Sequence, residues 1–262
     1  MTGRVRTLLA GLFAAALLAG TTGCAQSVDP IERLGKKAAQ RVRPHGQPGP
    51  PAEAYRRWGL AAPLAPAPGP PGRRLPARAA RPGPPPVLDR VATRDRVVFL
   101  TYDDSAERDP RFADLVRELR LPVSMFLTDH VVGPGYGDFA RLRAVGVSVQ
   151  NHTLDHASLR GLPYAGQRAE ICGQRDKLRE RFGVRPRLLR PPYGTYDATT
   201  LRAAADCGVS ALVLGREPGP GPLRPGDILT GTDGPDLTAA TTRLLRRIQA
   251  EGLTPARLED YL

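Results

Sequence analysis

Two adjacent carboxylates follow one of the apolar runs of the chain. The run Val97 to Leu100 leads directly into Thr101, Tyr102, Asp103 and Asp104. Neighbouring carboxylates can divide two tasks, because one can bind a metal ion while the other accepts a proton. An isolated Asp pair is more often part of a turn or a helix cap. The pair therefore indicates chemistry only in combination with other polar residues.

Two histidines four residues apart follow a second apolar run. His152 and His156 come just after Val147 to Val149, and the chain has only four histidines. Positions i and i+4 share one face of a helical turn, so both rings can reach one ion at about 2.0–2.1 Å. The alternative is a pair of surface histidines at a helix start. Considered together with the Asp pair, the spacing indicates a metal site.

A third cluster, residues 190–194, has the sequence Arg-Pro-Pro-Tyr-Gly. It follows the short run Arg187 to Leu189, which ends in two leucines. The two prolines fix the backbone and Gly194 permits a tight turn, so the backbone N–H of Tyr193 can be held rigidly. Arg190 supplies a permanent cation that can orient a carboxylate. Taken alone, this cluster is typical of a structural turn.

The elements that must position these clusters alternate between short apolar runs and amphipathic stretches from residue 96 onward. The apolar runs predict buried strands at Val97 to Leu100, Val123 to Leu127, Val147 to Val149, Arg187 to Leu189, Val209 to Leu214 and Ile228 to Leu229. The amphipathic stretches predict helices near Pro110 to Leu119, Phe139 to Ala144, Tyr164 to Phe182, Thr199 to Cys207 and Leu237 to Glu251. Such alternation predicts a mainly parallel sheet or barrel, with functional groups at the carboxyl ends of the strands. All three polar clusters fall at such ends.

In this order and on successive strand ends, the three clusters resemble the polysaccharide deacetylase family, also called the NodB homology domain or carbohydrate esterase family 4. The resemblance covers residues 96–262. Thr101 to Asp104 matches the family's Thr-Phe/Tyr-Asp-Asp element, His152 to His156 matches His-Ser/Thr-x-x-His, and Arg190 to Gly194 matches Arg-Pro-Pro-Tyr-Gly. The resemblance implies an α/β fold, a distorted (β/α) barrel of the polysaccharide deacetylase type.

The resemblance also implies an activity and a cofactor. The family hydrolyses N- or O-linked acetyl groups on sugars, so the chain is expected to be a hydrolase acting on carbon–nitrogen bonds other than peptide bonds. The expected cofactor is a divalent metal ion, zinc, with cobalt as the alternative. The expected substrate is an acetylated polysaccharide of the cell wall or the extracellular space, with peptidoglycan amino sugars favoured.

The family's site residues carry over onto matching positions of this chain. Asp104, His152 and His156 are the implied metal ligands. The implied general base is Asp103, which Arg190 orients. The implied oxyanion donor is the backbone N–H of Tyr193.

The chain departs from the family at the proton donor. The family's fifth element ends Leu-x-His with the His as general acid, whereas here the corresponding position is Thr232. The fourth element is unrecognisable, and the glycine usual after the Asp pair is Ser105. His130 is a substitute donor by its place after a strand, although a solvated loop His is the simpler interpretation. The sequence therefore leaves open a weak or inactive deacetylase-like domain that binds carbohydrate.

The first 24 residues are typical of an export signal, with Arg4 and Arg6 before the apolar run Leu8 to Ala19. That run is too short for a membrane-spanning helix. Cys24 after Gly23 resembles the lipidated cysteine of a bacterial lipoprotein, and ordinary cleavage after Ala25 is the alternative. The sequence predicts a signal at residues 1–24, a basic, Pro-rich and largely disordered linker at 25–92 and the deacetylase-like domain at 93–262. The predicted location is the outer face of the cytoplasmic membrane or the cell wall, or the extracellular space if the chain is not lipidated.

The charge distribution of the chain argues against a nucleic-acid partner. The formal net charge is +12, but residues 93–262 hold 24 Lys and Arg against 22 Asp and Glu. A folded nucleic-acid binder would carry its positive charge on the folded part. The predicted partners are the polysaccharide and, through a lipid on Cys24, the membrane, and the predicted state is a monomer. Whether Cys172 and Cys207 pair is left open by the sequence.

Overall fold

The computed structural model describes residues 53–69, 83–104, 109–132, 136–231 and 236–262. The predicted export signal with Cys24, residues 25–52 and 70–82 of the predicted linker, Ser105 and Thr232 lie outside these residues. Within the described part of the chain, no helix is both long and apolar enough to cross a membrane.

The described chain alternates strands and helices from residue 87 to its end. The strands are β1 Val87–Leu88, β2 Val97–Tyr102, β3 Val123–Leu127, β4 Ser148–Asn151, β5 Leu188–Leu189, β6 Ala211–Val213, β7 Ile228–Thr230 and β8 Thr254–Ala256. The helices are α1 Ala54–Arg57, α2 Pro110–Leu119, α3 Asp129–Val132, α4 Tyr136–Ala144, α5 Tyr164–Phe182, α6 Ala198–Asp206 and α7 Leu237–Ala250, with short 3-10 helices at Pro192–Gly194 and Leu258–Asp260.

All strand pairs of the sheet are parallel, in the order β1-β6-β5-β4-β3-β2-β7, and β8 also pairs with β2. Arg216, just beyond β6, donates its N–H to the carbonyl of Ile228 at 2.9 Å and accepts from the N–H of Thr230 at 2.9 Å. The sheet therefore curls until β6 meets β7. This is the (β/α) barrel that the sequence predicts.

The central strands are buried along their whole length, as expected for parallel strands covered on both faces. Alternate residues pack into two different clusters: Val97 and Phe99 of β2 join the barrel interior, whereas Val98 and Leu100 pack against the helices outside. Continuing this alternation places Thr101 and Asp103 on the interior side at the carboxyl end of β2.

The C-terminal residues pack at the opposite, amino-terminal end of the barrel. The Tyr261 ring meets Phe99 with ring centroids 5.1 Å apart. The Glu259 carboxylate accepts from the hydroxyls of Ser124 at 3.0 Å and Ser148 at 2.5 Å, and from the Gln150 amide at 3.0 Å. These contacts fill the amino-terminal end, so the opening of the barrel is at the carboxyl edge.

A disulfide joins Cys172 of α5 to Cys207, which follows α6. The two Cα atoms are 5.1 Å apart, and the pair lies in a buried cluster that α5 and α6 form against β5 and β6. The pairing that the sequence left open is thus present.

Residues 53–69, which we call the N-terminal strap, pack on α2 and α7. Trp58 is 6% exposed, and its indole N–H donates to Glu118 of α2 at 2.8 Å. From α7, Arg246 donates to the carbonyl of Gly59 at 2.7 Å. Gly59 has φ +66°, and a side chain there would collide with the Arg246 guanidinium. This part of the predicted linker is therefore folded onto the barrel.

Candidate active site

A buried guanidinium organises the carboxyl edge of the sheet. Arg190, 4% exposed at the end of β5, donates from Nη1 to Asp103 Oδ1 at 2.7 Å and from Nη2 to Thr101 Oγ1 at 2.6 Å. The Thr101 hydroxyl donates to the carbonyl of Leu229 at 2.9 Å, which leaves its lone pairs for Arg190. The guanidinium lies over the ring of Phe126 at 4.3 Å from its centroid. The Asp103 carboxylate is thus held by an arginine at the end of β5, and Thr101 of β2 and Phe126 of β3 contact that arginine in turn.

His152 is held in one tautomer by a backbone carbonyl of the neighbouring strand end. Its Nδ1 lies 2.8 Å from the carbonyl oxygen of Arg190, which can only accept, so Nδ1 carries the hydrogen and Nε2 presents a lone pair. Burial lowers the pKa of His152, and the opposing effect of Asp103 is smaller. A neutral imidazole with a fixed Nδ1–H is the usual state of a metal-binding histidine.

His156 brings a second ring nitrogen to the same point. Its Nε2 lies 3.2 Å from Nε2 of His152. Two nitrogens bound at about 2.0–2.1 Å to one tetrahedral ion lie about 3.3 Å apart, so the pair fits two corners of a zinc site. The Tyr193 hydroxyl is 3.3 Å from His156 Nδ1 and can accept a hydrogen there, which permits the tautomer with a free lone pair at Nε2.

The third predicted metal ligand has one carboxylate oxygen bonded to the backbone. Asp104 is buried, and its Oδ1 accepts the N–H of Thr128 at 2.7 Å. Among the described residues, no three His, Cys, Asp or Glu side chains form a group that could hold a metal ion. The structure thus brings the two histidines together beside Asp103, whereas the role of Asp104 as the third ligand stays a prediction. The donor types match a divalent metal, and the histidine pair matches its spacing.

Two residues outside the predicted set hold the histidine loop. Asn151 donates to the carbonyl of Ile171 at 2.8 Å and accepts the N–H of Thr153 at 2.9 Å. Glu170 of α5 accepts the N–H groups of Leu154 and Asp155 at 3.1 and 3.0 Å. Asn151 adjoins His152 in sequence, but nothing local marks Glu170, because its partners lie 15 and 16 residues away.

Backbone strain is concentrated at the site. The backbone φ angles of Thr153, His156 and Tyr193 are 74°, 57° and 58°. These values lie in the left-handed region, which residues with a Cβ rarely adopt. Only one other described non-glycine residue has positive φ: Arg120, which caps the end of α2. Such strain persists where the surroundings over-determine the backbone and is common at functional sites. Here it sets the directions of the His156 ring and the Tyr193 backbone.

The predicted substitute proton donor lies at the border of the site. His130 is exposed at the start of α3, and its backbone N–H donates to the carbonyl of Leu154 in the histidine loop at 3.0 Å. On the side of β7, Gly215 leaves room for Arg190, since a Cβ there would lie 3.0 Å from Nη2. Thr232, at the position of the family's acid, lies outside the described residues.

Comparison with known proteins identifies the fold and its relatives. Residues 90–212, which include all three polar clusters, match the family described as polysaccharide deacetylase. The chain is 60% identical over 206 residues to an uncharacterised protein of Streptomyces coelicolor. The matched region covers 73% of this chain and 79% of the relative. The chain is 28% identical over 120 residues to a chitooligosaccharide deacetylase of a Bradyrhizobium species, which covers 45% of this chain and about half, 55%, of that relative.

Among solved structures, a carbohydrate esterase family 4 pseudoenzyme from Bacillus anthracis has a TM-score of 0.61 and 16% identity, covering 68% of this chain and 69% of that chain. This likeness establishes the barrel, which an inactive protein shares, and leaves the activity to be argued from the site. The motifs, the barrel and the match over residues 90–212 agree, and the chain belongs to the polysaccharide deacetylase family.

Proposed function

We propose that this protein is a metal-dependent hydrolase that removes N- or O-linked acetyl groups from a cell-wall or extracellular polysaccharide, with peptidoglycan amino sugars as the leading substrate. The observation that carries the proposal is the contact of Arg190 with Asp103 and Thr101 beside the converging nitrogens of His152 and His156. A carbohydrate-binding surface has no need for a carboxylate fixed in this way. The relative described as a chitooligosaccharide deacetylase supports an acetylated amino sugar as substrate.

In this proposal Asp103 is the general base. Its Oδ1 is held by Arg190, and its Oδ2 lies 3.9 Å from Nε2 of His152, beyond hydrogen-bond range. Oδ2 therefore keeps its lone pairs on the side of the histidines, where it can accept a proton from the water that attacks the acetyl carbonyl. The backbone N–H of Tyr193, in a strained turn, would donate to the oxyanion that forms.

A divalent ion, zinc or cobalt, would be held by Asp104, His152 and His156. When bound, such an ion supplies Lewis acidity, which polarises the acetyl carbonyl and makes water a better nucleophile near neutral pH. Arg190 acts beside it through Asp103 and the carbonyl that fixes His152. The carbon–nitrogen or carbon–oxygen bond then breaks, acetate is released, and the leaving sugar atom takes up a proton.

The proton for the leaving group separates this proposal from a second candidate function. Thr232 stands at the position of the family's acid, and a threonine hydroxyl is no acid near pH 7. Loss of a general acid typically lowers the rate by about 10²–10⁴. A weak or inactive domain that binds carbohydrate is therefore the second candidate. An ester substrate suits the chain better than an amide, since an alkoxide leaving group can be protonated by solvent.

The location belongs to the proposal as well. We propose an exported protein on the outer face of the cytoplasmic membrane or in the cell wall, anchored by a lipid on Cys24. The disulfide between Cys172 and Cys207 supports an oxidising compartment.

The test is acetate release by the zinc- or cobalt-loaded chain from residue 25 onward. The substrates are acetylated chitooligosaccharides, peptidoglycan and acetylated xylan. Asp103→Asn should lower release at least about 10²-fold, because the water loses its base. The matched control is Asp114→Asn, a half-exposed aspartate of α2 that pairs with Arg117 and should leave release unchanged. Saccharide binding without release from any substrate would favour the binding function, and equal release by both variants would remove Asp103 from the mechanism.

A further inference from the structure

A cavity with a strongly basic lining lies between the N-terminal strap, the first turn of α2 and the first three turns of α7. Its volume is about 430 Å³, and five exposed arginines line it: Arg56, Arg57, Arg111, Arg243 and Arg246. The other lining residues are Trp58 and Gly59 of the strap and Thr238, Ala239 and Thr242 of α7. No acidic residue is part of this lining. We call it the basic pocket.

The five arginines outnumber the described carboxylates that form ion pairs with them. Arg57 pairs with Glu118 at 2.8 Å, and Arg56 pairs with the exposed Glu53 at 3.0 Å. Arg246 uses its Nε on a neutral carbonyl, that of Gly59.

The remaining two cations have no carboxylate partner in the described structure. Arg111 lies over the Trp58 ring, 5.7 Å from its centroid, and Arg243 has no ion pair among the described residues. A further carboxylate, that of Asp109, is buried and accepts the N–H groups of Arg111 at 3.0 Å and Thr238 at 2.8 Å, so it caps the starts of both helices. Positive charge is therefore left over on the exposed side.

The pocket adjoins the candidate active site along the chain. The first turn of α2 begins six residues after Asp104, and Thr238 comes seven residues after Gly231 at the end of β7. Helices that follow parallel strands begin at the carboxyl edge of a sheet, which is also where Asp103 and His152 lie. Arg111, Thr238 and Ala239 of the basic pocket therefore lie toward the edge of the sheet that carries the site, on its β2 and β7 side.

We propose that the basic pocket binds oxyanion groups, phosphate or carboxylate, carried by the polysaccharide that the active site acts on. Guanidinium groups bind both oxyanions in bidentate geometry, and an excess of guanidiniums over described partner carboxylates around one concave surface favours a polymer with acidic groups over a neutral one. The proposal rests on the proposed function for its substrate, and it specifies that substrate as an acidic acetylated glycan.

The test compares the binding of three soluble chitin derivatives of matched length to the chain from residue 25 onward: plain, carboxymethylated and phosphorylated. Calorimetry at low and high salt measures the affinity without turnover. The acidic derivatives should bind at least about tenfold more tightly than plain chitin at low salt, and the difference should shrink at high salt because exposed charges are screened. The double variant Arg56→Gln/Arg243→Gln should abolish most of this difference.

The matched control is Arg185→Gln/Arg202→Gln, which removes two exposed arginines far from the pocket in sequence. Thermal melting establishes that both double variants are folded. Equal affinity for plain and acidic chitin, or an equal loss in both double variants, would overturn the proposal. Tighter binding to phosphatidylglycerol vesicles than to phosphorylated chitin would assign the pocket to lipid headgroups instead. Pocket-dependent binding without acetate release would contradict the proposed function and leave this proposal standing.

Discussion

At the scale of single residues, the site depends on one buried cation. Arg190 contacts Asp103 and Thr101 with its side chain and His152 with its carbonyl. Its Nε is buried without a hydrogen-bond partner among the described residues, and a buried donor left in this way costs about 1–3 kcal/mol. The contacts with Asp103 and the Phe126 ring offset that cost. Removing any acceptor of this guanidinium should therefore affect both stability and the proposed base.

Thr101→Val tests this dependence. The substitution keeps the shape of the side chain and removes the acceptor of Arg190 Nη2, so we expect a loss of about 1–3 kcal/mol in the free energy of unfolding. Because Arg190 then loses one of its two anchors, kcat for acetate release should fall about tenfold while KM changes little. Urea unfolding and steady-state kinetics measure the two effects.

The control for Thr101 is the conservative variant Thr101→Ser, which restores the hydroxyl. It should recover most of kcat. If Ser and Val variants lose activity equally, the hydroxyl does not position Arg190.

The sequence predicts the residues of the site better than their contacts. Asp103, His152, His156 and Arg190 stand in recognisable motifs, and the structure brings all four together. The contact of Thr101 with Arg190 could not be predicted, because the two residues are 89 positions apart in sequence. Nothing in the local sequence distinguishes this threonine from a polar residue with no partner. The metal-ligand role of Asp104 stays a prediction.

At the scale of elements, the sequence best predicts the helices that have long amphipathic patterns. The predicted bounds of α2 and α5 are confirmed: α2 has Asp109 as its N-cap, and α5 ends at Gly183 in the left-handed conformation. The sequence pattern does not predict β1 and β8. Val87–Leu88 is only two residues long, and the Pro at position 255 argues against a strand in Thr254–Ala256. Their pairing with β6 and β2 is a tertiary effect that no local pattern shows.

The N-cap of α6 gives a pH-dependent prediction. Asp197 accepts the N–H groups of Gly161 at 3.1 Å and Thr200 at 2.9 Å, and these bonds lower its pKa to about 2. A lowered native pKa means that the carboxylate stabilises the fold above about pH 4 and that this contribution is lost as pH falls towards 2. Asp197→Ala should cost about 1 kcal/mol at pH 7 and less at pH 2.5.

Urea unfolding at the two pH values measures the Asp197 effect. Asp197→Asn is the control, since Asn also caps helices and cannot titrate. A cost of Asp197→Ala that stays constant between pH 7 and pH 2.5 would contradict the assignment.

The disulfide should contribute strongly to stability. Cys172 and Cys207 are 35 residues apart in sequence, and closing a loop of that length in the unfolded chain is worth about 4 kcal/mol. Cys172→Ser/Cys207→Ser should lower the free energy of unfolding by about that amount, measured with urea. Adding a reductant should destabilise the wild-type chain and leave the double variant unchanged. A wild-type chain insensitive to reductant while two free thiols appear would show that the bond is not stabilising.

At the scale of the whole molecule, the folded unit begins earlier than composition suggests. Ala54, Trp58 and Leu60 of the N-terminal strap are buried, and β1 pairs with β6. The high Pro and Arg content of residues 25–92 is typical of a linker. The few apolar residues between the prolines therefore do not indicate, from sequence alone, that they pack on the folded domain.

The strap leads to a prediction about fragments. A chain that begins at residue 93 lacks the strap and β1, and truncating a buried Trp side chain alone typically costs about 3–5 kcal/mol. It should therefore melt at a lower temperature and aggregate more than a chain that begins at residue 50. Differential scanning calorimetry and light scattering compare the two. Trp58→Ala in the longer chain should reproduce a large part of the loss, whereas equal melting temperatures would show that the strap is dispensable.

Trp58 is also the only tryptophan among the 262 residues. Because its indole is 6% exposed and bonded to Glu118, its emission reports on strap docking alone, whereas circular dichroism in the far ultraviolet reports on the whole barrel. If the two signals change at different urea concentrations, the strap detaches before the barrel unfolds. The protein thus carries an intrinsic optical probe, free of labels, for the attachment of its N-terminal segment.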